Sequence, residues 1–158
     1  MKFTLVYDSL YGNTEKIARV IGDALAGQGE GTLASVADFN MDLLRGVDLL
    51  IVGSPTQKFK ATAAMKAFLK AIPANGLKGV RVAAFDTRLT QSNIDGTPVL
   101  PFFVKLFGYA AEPMAKELQK KGGVLIRSPE GFYVEGTEGP LVQGELERAT
   151  AWARRLFA

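Results

Sequence analysis

Apolar positions along the chain follow two alternating periods. Lys2 to Asp8 is a short β-rich run closed by turn residues, and it predicts a strand. From Asn13 the period lengthens. Ile17, Val20, Ile21, Ala24 and Leu25 recur at helical spacing until Gly27 and Gly29 end the pattern. Thr32 to Val36 predicts a weak second strand. Val47 to Val52 is nearly continuous in apolar residues, as a parallel strand covered on both faces requires. Ala63 to Ile72 predicts a helix with Ala64, Phe68 and Ile72 inward. Val80 to Phe85 predicts the fourth strand, and Ala110 to Lys121 a helix stopped by Gly122-Gly123. Val124 to Arg127 is the expected fifth strand, resumed at Phe132-Tyr133-Val134. A last helix is expected from about Leu141 to Phe157, with Leu146, Ala149, Ala153 and Leu156 inward and Trp152 structural.

Five strands alternating with helices predict an α/β domain built on a parallel sheet with right-handed crossovers. No linker, repeat or low-complexity segment divides it, so residues 1–158 are expected to form a single domain. Ligands of such sheets bind beyond the carboxyl ends of the strands, where strand order reverses. The loops after the first, third and fourth strands are therefore the ones to inspect.

Composition narrows the chemistry. There is neither cysteine nor histidine, which excludes thiolate chemistry, disulfides and Ser-His or Cys-His nucleophile pairs. No metal site is expected. A cofactor that brings its own reactivity suits this chain better than hydrolytic catalysis. The N-terminal apolar run is too short for a signal peptide, and no stretch reaches the roughly 18 apolar residues of a membrane span. A cytoplasmic location is expected. The net charge is +3. Lysines and arginines sit singly or in pairs beside acids, as in Lys116-Glu117, so solvated helix faces are favoured over nucleic-acid binding.

The first loop carries the clearest chemistry. Between the first strand and the first helix lie Ser9, Leu10, Tyr11, Gly12, Asn13 and Thr14. Four of these six side chains donate hydrogen bonds. Gly12 permits a positive φ, and the loop opens onto a helix N-terminus with free N–H groups. This is an anion site of neutral donors suited to a phosphate monoester. A dinucleotide fingerprint would need two more glycines, and a P-loop would need a lysine directly after Gly12. A phospho-acceptor receiver domain would need an aspartate ending the third strand, where Gly53-Ser54 stands.

At these residues the chain resembles the flavodoxin family. The family's first strand and phosphate loop read as apolar residues, an aromatic, then S/T-x-x-G-x-T, with an alanine four residues after the threonine. Leu5-Val6-Tyr7-Asp8-Ser9-Leu10-Tyr11-Gly12-Asn13-Thr14 and Ala18 match throughout. The resemblance implies a flavodoxin-like three-layer sandwich with a five-stranded parallel sheet in the order 2-1-3-4-5. It also implies FMN as cofactor, with its phosphate held by Ser9 to Thr14. Gly53-Ser54-Pro55-Thr56-Gln57 resembles the family's second loop, which runs along the ribityl chain and one ring face. Many members stack an aromatic directly after the threonine. Here Gln57 stands there, so either Phe59 stacks or that face is open. By the same resemblance Asp86, Thr87 and Arg88 are expected in a third loop at the pyrimidine edge, running on to Gln91.

Two departures bear on function. Electron-carrying flavodoxins are usually strongly acidic, whereas this chain places Lys58, Lys60 and Arg88 on the expected flavin loops. Nearby cations would make the flavin easier to reduce. Ser54 to Lys60 also lacks glycine, so a peptide flip toward the reduced ring would cost more. The second departure is the apolar stretch from Thr97 to Phe107. Besides local packing it has three readings: a helix extension, a homodimer contact, or an apolar lid for a substrate such as a quinone. The leading expectation is an FMN electron-transfer protein served by redox partners, a reductase and an acceptor. An FMN-dependent small-molecule (quinone-type) reductase and a flavin-free interaction module of the same fold are the alternatives, and no catalytic residue is assigned.

Overall fold

A computed structural model of the chain describes residues 1–90 and 108–157. The strands are β1 (Lys2–Tyr7), β2 (Glu30–Ser35), β3 (Leu49–Pro55), β4 (Arg81–Leu89), β5 (Val124–Leu125) and β6 (Glu130–Val134). The helices are α1 (Asn13–Leu25), α2 (Ala63–Ala71), α3 (Ala111–Lys120) and α4 (Glu145–Arg155). The sheet runs β2-β1-β3-β4-β5, all parallel, and β6 pairs with the far end of β4. The expected fifth strand is thus two pieces. Val124 and Leu125 face Arg81 and Val82, while Glu130 to Val134 face Phe85 to Leu89. Pro129, which has no N–H to give a ladder, lies in the break.

Successive strand residues point to opposite faces, and this splits the core in two. Leu5, Ile51, Ala83 and Phe85 pack under α1 and α4, where Trp152 meets Phe85 and Phe132 edge-on with ring centroids 6.2 Å apart. Val6, Leu50, Val52, Val82 and Ala84 pack under α2 and α3. Five buried strand side chains on that face against aliphatic helix stripes supply the hydrophobic stabilisation, about 1.5–3 kcal/mol for each large side chain.

Two helix phases differ from the sequence reading. In α2 the inward stripe is Met65, Phe68 and Leu69, continued by Ile72, and Ala64 faces solvent. The larger side chains set the rotation, and alanine yields. The last helix begins at Glu145 rather than Leu141, because Gly144 takes φ +91° and breaks the helical path. Leu146 is exposed, and Glu145 turns inward instead. Its carboxylate accepts from the Tyr133 amide at 2.7 Å and from Arg148 at 2.6 and 2.9 Å. Arg148 also pairs with Glu130 at 3.1 Å and donates to the Gly131 carbonyl, which ties α4 to β6.

Burial pushes the Glu145 carboxyl up, but Arg148 and the Tyr133 amide outweigh it and hold the carboxyl below the usual range. The stabilisation is therefore complete above the ordinary glutamate pKa of about 4.3 and is lost as pH falls through the lower folded value. Glu145→Gln is expected to flatten the fall in stability below about pH 4. Urea midpoints between pH 3 and 6 would read this, and an acid limb unchanged from the wild type would refute it.

Candidate functional site

β1, β3, β4 and β6 end on the same edge of the sheet, and the segments leaving them enclose a cleft of about 140 Å³. The first loop supplies Ser9, Leu10, Tyr11, Asn13 and Thr14 to its wall. Gly12 closes the turn with φ +91° and stands at the N-cap of α1, where no side chain caps the helix. A Cβ built there would meet nothing within 4 Å, so conformation and not space requires glycine.

Ser9 shapes this loop from inside. Its hydroxyl oxygen accepts from the Gly12 amide at 3.1 Å and the Glu15 amide at 3.3 Å. Asp8 accepts from the Ser9 amide and, at 2.6 Å, from the Thr62 hydroxyl, which itself caps α2. The loop's root is thereby fixed to the second helix. Among the described residues, no hydrogen bond uses the amides of Leu10, Tyr11, Asn13 or Thr14. Asn13 donates from its side chain to the Glu138 carbonyl at 3.1 Å and so fastens the loop to the segment after β6.

Thr14 and Thr87 are buried, with their hydroxyls 2.9 Å apart. Two hydroxyl protons share one bond, so one proton remains to be donated into the cleft that both residues line.

The second loop brings Pro55, Thr56 and Gln57 to the cleft. The Thr56 amide bonds to the Thr87 carbonyl, and its hydroxyl accepts from the Ala110 amide. Beyond it, Gln57 and Lys60 bond each other in both directions, at 2.7 and 2.9 Å, around Lys58 and Phe59. These two residues have φ +46° and +70°. This is a two-residue hairpin turn of the kind that favours Asn-Gly, made without either. The turn carries Phe59 out of the cleft and into a separate groove between α2 and α3. Gln57, not Phe59, therefore stands at the wall. Lys58→Asn is expected to raise stability by about 0.5–1 kcal/mol by relieving left-handed strain at an exposed turn position. A thermal melt shows this as a rise in Tm, and an unchanged Tm would contradict the strain.

The third predicted loop is not a loop. β4 continues to Leu89, so Asp86, Thr87 and Arg88 are strand residues. Asp86 and Arg88 point to one face, two residues apart, and form a fork: Nε to Oδ1 at 2.7 Å and Nη2 to Oδ2 at 2.8 Å. The Ala111 amide adds a third bond at 2.9 Å, and the guanidinium lies 3.7 Å from the Tyr109 ring centroid. Asp86 is fully buried beneath the cleft and does not line it, whereas Thr87 and Arg88 do. Burial pushes the Asp86 carboxyl up against the pull of Arg88, the Ala111 amide and the Thr56 hydroxyl.

Leu89, Val134 and Thr137 also line the cleft. The sequence reading missed them. Leu89 and Val134 lie on strand ends opposite one another, visible only once β6 is registered on β4. Thr97 to Phe107 lies outside the described residues.

The donor set suits a phosphate monoester. Unbonded amides surround a helix N-terminus, and no carboxylate lines the cleft among the described residues. The charged lining side chain is Arg88, which Asp86 compensates. A family model described as a flavodoxin domain matches residues 4–132. The chain belongs to the flavodoxin family. That membership implies a flavin cofactor. Several solved flavodoxins share its fold. Flavodoxin 2 of Bacillus cereus superposes with a TM-score of 0.78 at 21% identity, over 99% of this chain and 98% of that one. Flavodoxin 1 of the same organism gives 0.77 at 17% over 99% and 97%. A flavodoxin from the domain Archaea gives 0.76 at 20% over 100% of both chains. No curated protein matches the chain. Among the described residues, no helix of this flavodoxin is long and apolar enough to cross a membrane.

Proposed function

We propose that this flavodoxin binds FMN non-covalently in the cleft at the ends of β1, β3 and β4 and serves as an electron carrier between partner proteins. The observation that carries the reading is the set of unbonded amides at Leu10, Tyr11, Asn13 and Thr14, in a cleft with no carboxylate among its described lining residues. These amides would hold the phosphate, and the spare hydroxyl proton of Thr14 and Thr87 would add a bond. Thr56 and Gln57 would flank the ribityl chain and ring, with Arg88 and Leu89 on the far wall. Bound flavin supplies one- and two-electron chemistry. Among the described residues the lining offers no carboxylate or other acid–base group near neutrality, which favours a carrier over an enzyme that must move substrate protons. Arg88 is compensated, so any cationic rise in flavin potential falls to Lys58 and Lys60 on the adjoining turn.

Titration with FMN and riboflavin, read by quenching of flavin fluorescence, tests the reading. FMN preferred by at least about a hundredfold is expected from several charge-assisted phosphate bonds. Equal affinity for the two would remove the phosphate site. NAD(P)H alone reducing the bound flavin would replace the carrier with an enzyme.

A further inference from the structure

Residues 49–85 contain no aspartate or glutamate, yet they carry Lys58, Lys60, Lys66, Lys70, Lys78 and Arg81. With the whole chain at +3, the remainder is net negative, so positive charge is segregated. The fold gathers four of these cations along one edge. Lys58 and Lys60 stand on the hairpin turn beside the cleft, and Lys66 and Lys70 on the exposed face of α2. None of the four forms an ion pair among the described residues. Beside them runs a groove of about 400 Å³ between α2 and α3, floored by Ala61, Leu69, Pro113 and Met114. Glu117, the one acidic residue among the described lining residues, sits 3.8 Å from Lys120.

We infer that this edge is a docking surface for an acidic protein partner that inserts an apolar side chain into the groove. Charge complementarity selects the partner's sign, and the groove gives its anchor a desolvated seat. The other exposed positions of α2 are Ala63, Ala64, Ala67 and Ala71, a flat face that lets a second protein approach closely. A membrane-binding face would instead project large apolar residues. A nucleic-acid face would set stacking side chains and arginines among the lysines. Gln57 lines both the cofactor cleft and the lysine-edged cleft beside it, so a partner seated here lies next to the flavin site. That last consequence rests on the electron-carrier reading, whereas the docking itself does not.

The probe is a short fluorescein-labelled peptide with glutamates around a central tryptophan, followed by anisotropy with and without FMN. Binding is expected at about 50 mM salt and should weaken at least tenfold at about 300 mM. Exchanging the glutamates for glutamines, or making Lys66→Glu with Lys70→Glu, should each weaken it at least tenfold. Replacing the tryptophan by alanine should weaken it severalfold. Arg154→Glu with Arg155→Glu, on exposed α4 positions, should leave it unchanged. Equal binding by the α2 variant overturns the proposal, as does tighter binding of a single-stranded oligonucleotide or of phosphatidylglycerol vesicles, or no peptide binding at all. The urea midpoint of the α2 variant establishes that it is folded. Its FMN affinity should equal the wild type's. Peptide binding without FMN binding would sink the carrier reading and leave the surface standing, and FMN binding without peptide binding would do the reverse.

Discussion

Asp86→Ala is expected to remove about 3–5 kcal/mol of stability, the largest loss of any substitution considered for this fold. The reason lies in what is left behind. Arg88 would keep its guanidinium mostly buried, at 17% side-chain exposure, with no carboxylate facing it. The Ala111 amide, which starts α3, would lose its acceptor as well. The pair itself adds little net stability, because taking both charges out of water offsets their attraction. Removing both charges should therefore recover what removing one destroys. Asp86→Asn with Arg88→Met is expected within about 1 kcal/mol of the wild type, since asparagine keeps an acceptor for the Ala111 amide and methionine can keep the packing against Tyr109. Urea unfolding of the two variants decides this. A loss below about 1 kcal/mol in Asp86→Ala would mean that water reaches Arg88 and that the fork is incidental.

Substitution at Gly12 should have the largest effect on the cofactor. Gly12→Asn and Gly12→Asp form a matched pair: both side chains tolerate left-handed backbone, both have the same shape, and open space surrounds the position. The asparagine is expected to cost about 1 kcal/mol in stability and to weaken FMN only slightly. The aspartate should fold at least as well, because its carboxylate favours the α1 N-terminus. That same carboxylate would occupy the amides meant for the phosphate and repel it. At about 4 Å and an effective dielectric near 20, one such repulsion amounts to about 4 kcal/mol, or roughly a thousandfold in FMN affinity. Riboflavin has no phosphate and should bind both variants alike. Comparable FMN affinity in the two variants would show that the phosphate is held elsewhere.

The geometry of the first loop was legible because it is local. Glycine at a positive φ, small donors around it and a helix starting at once are all features of adjacent residues. The parallel α/β class followed from the alternation of periods, and the strand order from the resemblance to the family. What stayed hidden depended on partners far along the chain. Asp-Thr-Arg after Phe85 reads as a polar loop, because single residues do not show that Asp86 and Arg88 neutralise each other within a strand. The inward turn of Glu145 needs Arg148 and the Tyr133 amide, so the rotation of the last helix escaped a hydrophobic pattern that preferred Leu146. Phe59 was misdirected for a different reason. Its direction is set by a hairpin turn whose residues, Lys58 and Phe59, carry none of the usual signals for that geometry. The segregation of charge was visible in the sequence, but only when acids were sought by their absence over a long window.

The bond from Asn13 to the Glu138 carbonyl bears on how this domain can be transplanted. The family-model match ends at residue 132, and a chimera cut there would look complete by that match. It would retain β1 to β4 and the glycine turn. It would also discard Val134 and Thr137 from the wall of the cleft and the anchor that holds Asn13 in place. The graft boundary that keeps the cleft whole lies after α4, whose Arg148 fastens β6 to the rest.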